Sequence, residues 1–163
     1  MPKLLENNAS TERSADRGLA RPGGLARLDR NKMKSSPKIG TPGELAFVVE
    51  PKHCIEFATD GMPAVLSTPQ LIGLLERTAR QTLTPYLESD ERSVGIEIEL
   101  RHLAATPLGA PVTCTVRVIA VDGPQVGFQI EARDRHELIA RGLHKRAVIR
   151  VDSFARRLQH KYT

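Results

Sequence analysis

The amino-acid sequence predicts an α+β fold in which an antiparallel sheet wraps around one long apolar helix. The stretch 67–83, "STPQLIGLLERTARQTL", carries apolar residues at helical spacing over most of its surface. After residue 90 the pattern changes to an alternation with a period of two, which is typical of strands. Short turns such as Asp122-Gly123 join the later strands and favour antiparallel pairing. Because a helix that is apolar on most sides must be covered, we expect the sheet to enclose it.

The predicted helix has signals at both ends. Ser67 or Thr68 can serve as the N-cap, and Gln70 could complete a capping box with Ser67. The helix should end before Pro85, which disfavours helical geometry in the residue that precedes it. Its apolar stripe consists of Leu71, Leu74, Leu75, Thr78 and Ala79. Glu76 belongs to the neighbouring stripe and therefore lies on the apolar side of the helix, away from its solvated face.

The remaining elements are strands and one short helix. We expect strands over residues 44–50, 94–102, 112–121, 125–132 and 138–151. In the second strand, one phase of the alternation consists of Val94, Ile96, Ile98 and Leu100. His102 falls in phase with these apolar residues, so an ionisable group stands where a hydrophobic one is expected. A short helix from Asp152 or Ser153 closes the chain.

The length of 163 residues suits one domain. We assign residues 41–163 to this domain and residues 1–40, which lack hydrophobic periodicity, to a disordered N-terminal extension. The net charge is +5, but residues 1–32 carry seven basic and four acidic side chains and so account for +3 of it. With no Trp, two Tyr and four Phe, the chain also offers few platforms for base stacking. Nucleic acid is therefore not an expected partner.

Targeting and metal-binding signals are missing from the sequence. No apolar run approaches the roughly 18 to 20 residues of a membrane helix, and the N-terminus has no secretory apolar region. Cys54 and Cys114 are too few for a disulfide framework, so we expect a reduced, cytoplasmic setting and no membrane partner. The five histidines form no ligand cluster, and no phosphate loop is present. We therefore expect neither a metal nor a cofactor.

Three positions could carry chemistry: Thr68 at the helix start, Glu76 two turns later and His102 on the following strand. A carboxylate in apolar surroundings has a raised pKa and can act as an acid or base near neutrality. A histidine can exchange protons at that pH, and a hydroxyl at a helix N-terminus can hold a water molecule or a carbonyl oxygen. Each residue also has a structural interpretation: a helix cap, an ion-paired carboxylate and a half-buried histidine, respectively. Spacing alone does not decide between them.

Three segments together resemble the hotdog-fold acyl-CoA thioesterases similar to fluoroacetyl-CoA thioesterase. They are "STPQLIGLLERTA", "SVGIEIELRHLAATPLG" and "EARDRHELIARGLHKRAVI", and the resemblance covers about residues 42–160. In that family the catalytic set is a Thr at the helix start, a Glu eight residues on and a His 26 residues further. Thr68, Glu76 and His102 satisfy both intervals. A glycine seven residues before the histidine lies near the acyl group in the family, and Gly95 matches it.

The resemblance implies hydrolysis of an acyl-CoA thioester to a free acid and CoA. Glu76 would be either the base that activates water or the nucleophile that forms a transient anhydride. His102 would stabilise charge on the thioester or the leaving thiolate, and Thr68 would position the reacting groups. Basic side chains at the mouth would contact the CoA phosphates. Our candidates for this contact are His144, Lys145 and Arg146, although these could equally be an ordinary solvated strand end.

The loop before the helix departs from the family pattern. In the fluoroacetyl-CoA enzyme, phenylalanines of this loop cover the small acyl group. Here the segment "ATDGMPAVLST" contains Met62 and no aromatic residue, and the nearest one, Phe57, lies just before it. A flexible methionine suits a less selective pocket. We therefore expect a short or medium acyl group rather than fluoroacetyl.

The resemblance also implies a homodimer, because hotdog domains usually pair their sheets and place the active sites near the interface. The main alternative function is a non-catalytic hotdog module that binds acyl-CoA or a protein partner. A second alternative is a hotdog hydratase, but these share an Asp-x-x-x-x-His pair that this chain lacks.

Overall fold

The structure, a computed structural model, describes residues 33–161. The strands are β1 (Pro42–Val48), β2 (Glu91–His102), β3 (Pro111–Asp122), β4 (Gln125–Asp134) and β5 (Leu138–Arg150). The helices are α1 (Thr68–Leu83) and α2 (Val151–Lys161), with short 3-10 helices at Pro51–His53 and Thr84–Tyr86. All strand pairs are antiparallel, and the sheet has the order β1-β3-β4-β5-β2. The predicted α+β fold class is confirmed.

Helix α1 packs against the sheet, most extensively against β1, β2, β3 and β4, and supplies much of the core. The five residues of its predicted apolar stripe are all buried, as is Leu83 at its end. The predicted start is also confirmed, with Ser67 as the N-cap and proline in the first turn. The predicted capping box is wrong, because the Ser67 side chain makes no capping hydrogen bond. Thr84 ends the helix, and its backbone N–H donates to the carbonyl oxygens of Arg80 and Gln81.

Strand β2 contains a β-bulge, where its pairing with β5 shifts between Gly95 and Glu97. Regular alternation would place Gly95 and His102 on opposite faces of the sheet, since seven residues separate them. The bulge inserts one extra residue and removes this conflict. Both residues consequently face α1. The unbroken alternation that we expected across this strand is therefore wrong, because the bulge at Ile96 interrupts it.

Strands β1 and β2 form the two edges of the sheet. Each pairs on one side within the described residues, β1 with β3 and β2 with β5. An exposed strand edge presents unpaired backbone groups that can bind a further strand. The β2 edge lies next to two of the predicted site residues, because β2 carries both Gly95 and His102.

The chain N-terminal to β1 contacts the domain as far back as the described residues extend. Met33 belongs to the buried core, and the backbone N–H of Ser35 donates to the carbonyl oxygen of Tyr86. Residues 1–32 of the predicted extension 1–40 lie outside the described residues, so its disorder stays a prediction there. Neither α1 nor α2 is long and apolar enough to span a membrane, and the same holds for every other helix between residues 33 and 161.

Candidate active site

Thr68 and His102 are in direct contact. The Thr68 Oγ1 atom lies 2.9 Å from the His102 Nδ1 atom, although the two residues are 34 positions apart in the chain. Thr68 is the first residue of α1 and His102 the last residue of β2, so the contact joins a helix N-terminus to a strand end. Thr68 is exposed and His102 is half-buried. A small molecule can therefore reach the hydroxyl from solvent.

Burial lowers the pKa of His102 below its ordinary value of 6.5, and a hydrogen bond donated by the ring to the Ala104 backbone opposes this shift. The ring is therefore neutral at pH 7. A neutral imidazole has one nitrogen that donates and one that accepts. The Thr68 hydroxyl can serve either tautomer, since it both donates and accepts.

Glu76 lies in a polar environment formed by strand β5. Its Oε1 atom is 3.6 Å from Nη1 of Arg146 and 3.7 Å from Nε2 of His144. The Glu76 side chain is 40% exposed, whereas those of Arg146 and His144 are 5% and 1% exposed. The predicted apolar surroundings of Glu76 are therefore wrong. Helical periodicity locates the face that meets the sheet, but it does not identify the strand residues that oppose it.

Arg146 is held by several hydrogen bonds. Its Nε donates to the Ser93 hydroxyl (3.1 Å), and its Nη2 donates to the Ser93 carbonyl oxygen (2.8 Å). Its Nη1 donates to the Glu76 carbonyl oxygen at 3.4 Å. Burial lowers the pKa of Arg146, and the Glu76 carboxylate opposes that shift. A buried guanidinium requires both hydrogen bonds and an opposite charge, and Glu76 supplies the charge.

His144 is a neutral member of this cluster. Its Nδ1 lies 2.8 Å from the Glu97 carbonyl oxygen, and its Nε2 lies 3.2 Å from Nη1 of Arg146. A carbonyl oxygen only accepts and a guanidinium only donates, so Nδ1 carries the proton and Nε2 accepts. Burial is the main cause that lowers the His144 pKa, and it favours the same neutral form. The charge on Arg146 is thus the main electrostatic partner of Glu76.

Gly95 leaves room for the Glu76 carboxylate. A Cβ atom at this position would lie 2.2 Å from Oε1 of Glu76 and 3.2 Å from Cε1 of His144. No side chain fits there unless Glu76 moves. The glycine that the family resemblance places near the acyl group thus contacts the candidate catalytic carboxylate.

The predicted site residues form two separate clusters in one chain. We call Thr68 and His102 the hydroxyl–imidazole pair, and we call Glu76 with Gly95, His144 and Arg146 the carboxylate cluster. Eight residues of helix separate Thr68 from Glu76, which corresponds to about 12 Å along the axis. The structure brings two members of the predicted triad together and holds the third two turns away.

The remaining predicted contact residues are dispersed. Lys145 is exposed, and its Nζ lies 2.7 Å from Oε2 of Glu97. His144 and Arg146 are buried beneath Glu76, so the three basic residues do not form one exposed patch. Met62 lies on the loop before α1 and is 46% exposed.

Ser93, which accepts hydrogen bonds from Arg146, was missed in the sequence analysis. The period-two spacing of His144 and Arg146 could have indicated their common face, but no sequence signal identifies Ser93.

Residues 33–161 give little support to a metal site or to Cys114 as a nucleophile. No group of three His, Cys, Asp or Glu side chains in that range could hold a metal ion. Burial raises the pKa of Cys114 to about 12, so its thiol stays protonated at neutral pH.

Comparison with known proteins gives a consistent result. The profile of the family described as FlK, fluoroacetyl-CoA-specific thioesterase, matches residues 49–152. The fluoroacetyl-CoA thioesterase of Streptantibioticus cattleyicolor is 34% identical over 137 residues, which cover 79% of this chain and 97% of that protein. A structure of fluoroacetyl-CoA thioesterase FlK superposes with a TM-score of 0.72 at 32% identity, covering 78% of this chain and 98% of that one.

A hot-dog-like protein from Thermanaerovibrio acidaminovorans also superposes, with a TM-score of 0.71 at 27% identity. That match covers 77% of this chain and 93% of the other. The fold expected from the sequence, an antiparallel hotdog sheet around a central helix, is thereby confirmed. The chain belongs to the fluoroacetyl-CoA-specific thioesterase family.

Proposed function

We propose that this protein is an acyl-CoA thioesterase that hydrolyses a short or medium acyl-CoA to the free acid and CoA. One observation carries the proposal: a half-exposed carboxylate, Glu76, occupies the space that Gly95 leaves, with its Oε1 atom 3.6 Å from Nη1 of the buried Arg146. Family membership supports the reaction class. CoA is part of the substrate, and the reaction requires no cofactor.

Glu76 acts on the thioester as a base or as a nucleophile. As a base it takes a proton from water, which attacks the thioester carbon and displaces the CoA thiolate. As a nucleophile it attacks that carbon itself, and water then hydrolyses the anhydride. Both routes need an oriented carboxylate. The guanidinium of Arg146 orients the Glu76 side chain through its contact with Oε1, 3.6 Å from Nη1.

The hydroxyl–imidazole pair binds the other reacting group. The Thr68 hydroxyl and the first N–H groups of α1 donate toward the thioester oxygen, where negative charge develops. His102 orients Thr68 through their hydrogen bond. Because burial lowers its pKa, its ring is neutral at pH 7 and stabilises charge on the departing thiolate by hydrogen bonding.

Because the two clusters are separated within one chain, we propose that the working site is formed by a homodimer. Two β2 edges that pair antiparallel about a two-fold axis place equivalent residues symmetrically. If the axis passes between Ile98 and Glu99, Gly95 lies opposite His102 of the partner subunit. Glu76 of one protomer then meets the hydroxyl–imidazole pair of the other. The site is incomplete without the second copy.

The CoA phosphates require cations that solvent can reach. Of the three basic residues that we considered, only Lys145 is exposed, so we assign it this contact. His144 and Arg146 serve the carboxylate cluster instead. We expect the enzyme to act in the cytoplasm.

The test measures thiol release from acyl-CoA substrates by the wild type, Glu76→Ala, His102→Ala and a co-refolded equal mixture of the two variants. We expect each variant alone to lose about 10²- to 10⁴-fold in kcat. In the mixture, half of the dimers combine the two variants and contain one intact site each. We therefore expect about a quarter of the wild-type rate.

Glu137→Ala and His136→Ala serve as matched controls, since both side chains are exposed in the β4–β5 turn. Their rates should equal that of the wild type. No recovery in the mixture would contradict a site shared between protomers while leaving the hydrolase assignment intact. If the wild type binds acyl-CoA esters but releases no thiol from any of them, the protein is the non-catalytic binding module instead.

A further inference from the structure

A cavity of about 640 Å³ lies beside the start of α1, and Thr68 forms part of its wall. The facing wall is the segment that follows the 3-10 helix Pro51–His53, and it includes Cys54, Ile55 and Phe57. The cavity therefore adjoins the hydroxyl that contacts His102. Its volume lies within the range of about 300–1,000 Å³ that is typical of small-molecule sites.

Phe57 is the largest apolar side chain at this cavity and is 70% exposed. The chain has only four phenylalanines and no tryptophan, so a mostly exposed aromatic ring is not explained by an excess of such residues. Burial of an aromatic ring against a ligand stabilises a complex more than burial of most other side chains does. Phe57 is therefore the natural contact for an apolar ligand beside Thr68.

The charges at the cavity do not suit a phosphate-bearing ligand. Lys52 is the only cation among its described lining residues, and its Nζ lies 2.7 Å from Oε2 of Glu50. Glu56 is the one carboxylate among the described lining residues. The lining therefore has no excess positive charge to hold the phosphates of CoA. Besides Thr68, the polar lining residues are Ser67 and Gln70, which are uncharged, so the cavity favours a neutral hydrocarbon group.

We propose that this cavity holds the acyl chain of the substrate and that Phe57 sets the preferred chain length. This inference rests on the proposed function, because it requires the thioester to lie at Thr68. A two-carbon acyl group would leave most of the apolar wall in contact with water, whereas saturated or aryl acyl groups of about six to ten carbons would cover much more of it. The substrates are therefore medium-chain or arylacyl-CoA thioesters.

The experiment compares kcat/KM for acetyl-, butanoyl-, hexanoyl-, octanoyl- and phenylacetyl-CoA. In the wild type, kcat/KM should rise about fourfold for each methylene from butanoyl to octanoyl, as expected for burial of hydrocarbon. Phe57→Ala should lower kcat/KM for octanoyl- and phenylacetyl-CoA by about tenfold or more and change the acetyl-CoA value less than twofold. Phe57→Leu should restore most of the chain-length dependence.

Ile119→Ala removes another exposed apolar side chain that does not line this cavity, and it should leave the whole series unchanged. A uniform loss across all chain lengths in Phe57→Ala would overturn the inference, because it would place the pantetheine arm at Phe57. A wild type that prefers acetyl-CoA would overturn it as well. Both outcomes leave the thioesterase assignment standing, whereas no thiol release from any substrate would refute that assignment itself.

Discussion

The two clusters of the candidate site differ in how firmly the fold holds them. The hydroxyl–imidazole pair depends on one hydrogen bond of 2.9 Å between an exposed threonine and a half-buried histidine. In the carboxylate cluster, Arg146 alone makes four hydrogen-bonding contacts with Ser93, Glu76 and His144, and almost all of its surface is buried. Rigid support therefore surrounds Glu76, and solvent access is greatest at Thr68.

This difference corresponds to two chemical tasks. A carboxylate that reacts must be held within a fraction of an ångström, and the buried guanidinium and the space at Gly95 restrict its position. A group that receives the substrate must be open to solvent before the substrate arrives. We infer that the carboxylate cluster determines the rate of the chemical step and that the region around Thr68 determines which substrates enter.

Among substitutions that leave Glu76 and His102 in place, the largest effect should come from filling the space beside Glu76. In Gly95→Ala, the new methyl group would overlap Oε1 of Glu76 and force the carboxylate away from Arg146. Misplacement by about 1 Å can cost about 10²-fold in rate, so we expect kcat to fall by that factor. Steady-state thiol release measures this effect.

Gly73→Ala is the matched control for this substitution, because a Cβ atom there meets nothing within 4 Å. Gly73 lies in α1, where alanine favours the helix more than glycine does. Gly73→Ala should therefore be at least as stable as the wild type and equally active. Wild-type kcat in Gly95→Ala would show that Glu76 can relax and that its position is not critical.

A smaller effect is expected from removing the Thr68 hydroxyl. Thr68→Val keeps the shape of the side chain but loses the hydrogen bond to His102, so kcat/KM should fall about tenfold. Thr68→Ser keeps the hydroxyl and should retain most of the activity. The free energy of unfolding should change little in either variant because residue 68 is exposed.

If Thr68→Val retains activity while Thr68→Ser loses it, the hydroxyl is not the functional group and the methyl packing matters instead. Far-UV circular dichroism and thermal unfolding would confirm that both variants keep the fold. This comparison tests the exposed cluster without altering the buried one.

The smallest effect concerns pH and stability. Burial lowers the pKa values of His102 and His144 below 6.5, so the unfolded chain takes up protons at these rings before the folded chain does. The unfolded state then binds more protons below about pH 6.5, and the free energy of unfolding decreases as the pH falls from 7 to 5. Urea unfolding at several pH values measures the slope.

His144→Asn should reduce that slope, since it removes one of the two titrating rings while an amide can still donate to the Glu97 carbonyl oxygen. His136→Gln, in the exposed turn, should keep the wild-type slope. Equal slopes in the wild type and His144→Asn would show that the His144 pKa is not lowered by folding.

Local sequence signals predicted the elements that local physics controls. The apolar stripe of α1 and its end before Pro85 follow from helical periodicity and proline geometry, and the structure confirms both. The predicted hairpin between β3 and β4 is confirmed, although its turn is Gly123-Pro124 because Asp122 still pairs with Gln125. Gly123 has a positive φ of 53° that glycine adopts at little cost. The bulge at Gly95–Glu97 was missed because a bulge depends on how β2 pairs with β5.

The sequence by itself determined the fold class, the central helix and the identity of Thr68, Glu76 and His102 as candidates, because periodicity and residue chemistry are local properties. Only the tertiary structure decided which of them meet. Strand pairing places Gly95 opposite Arg146, and helix packing then sets Glu76 on that pair. The environment of Glu76, ionic rather than apolar, arises from residues about 70 positions away in the chain. Contacts between residues so distant in sequence depend on the three-dimensional pairing of strands, which no local pattern specifies.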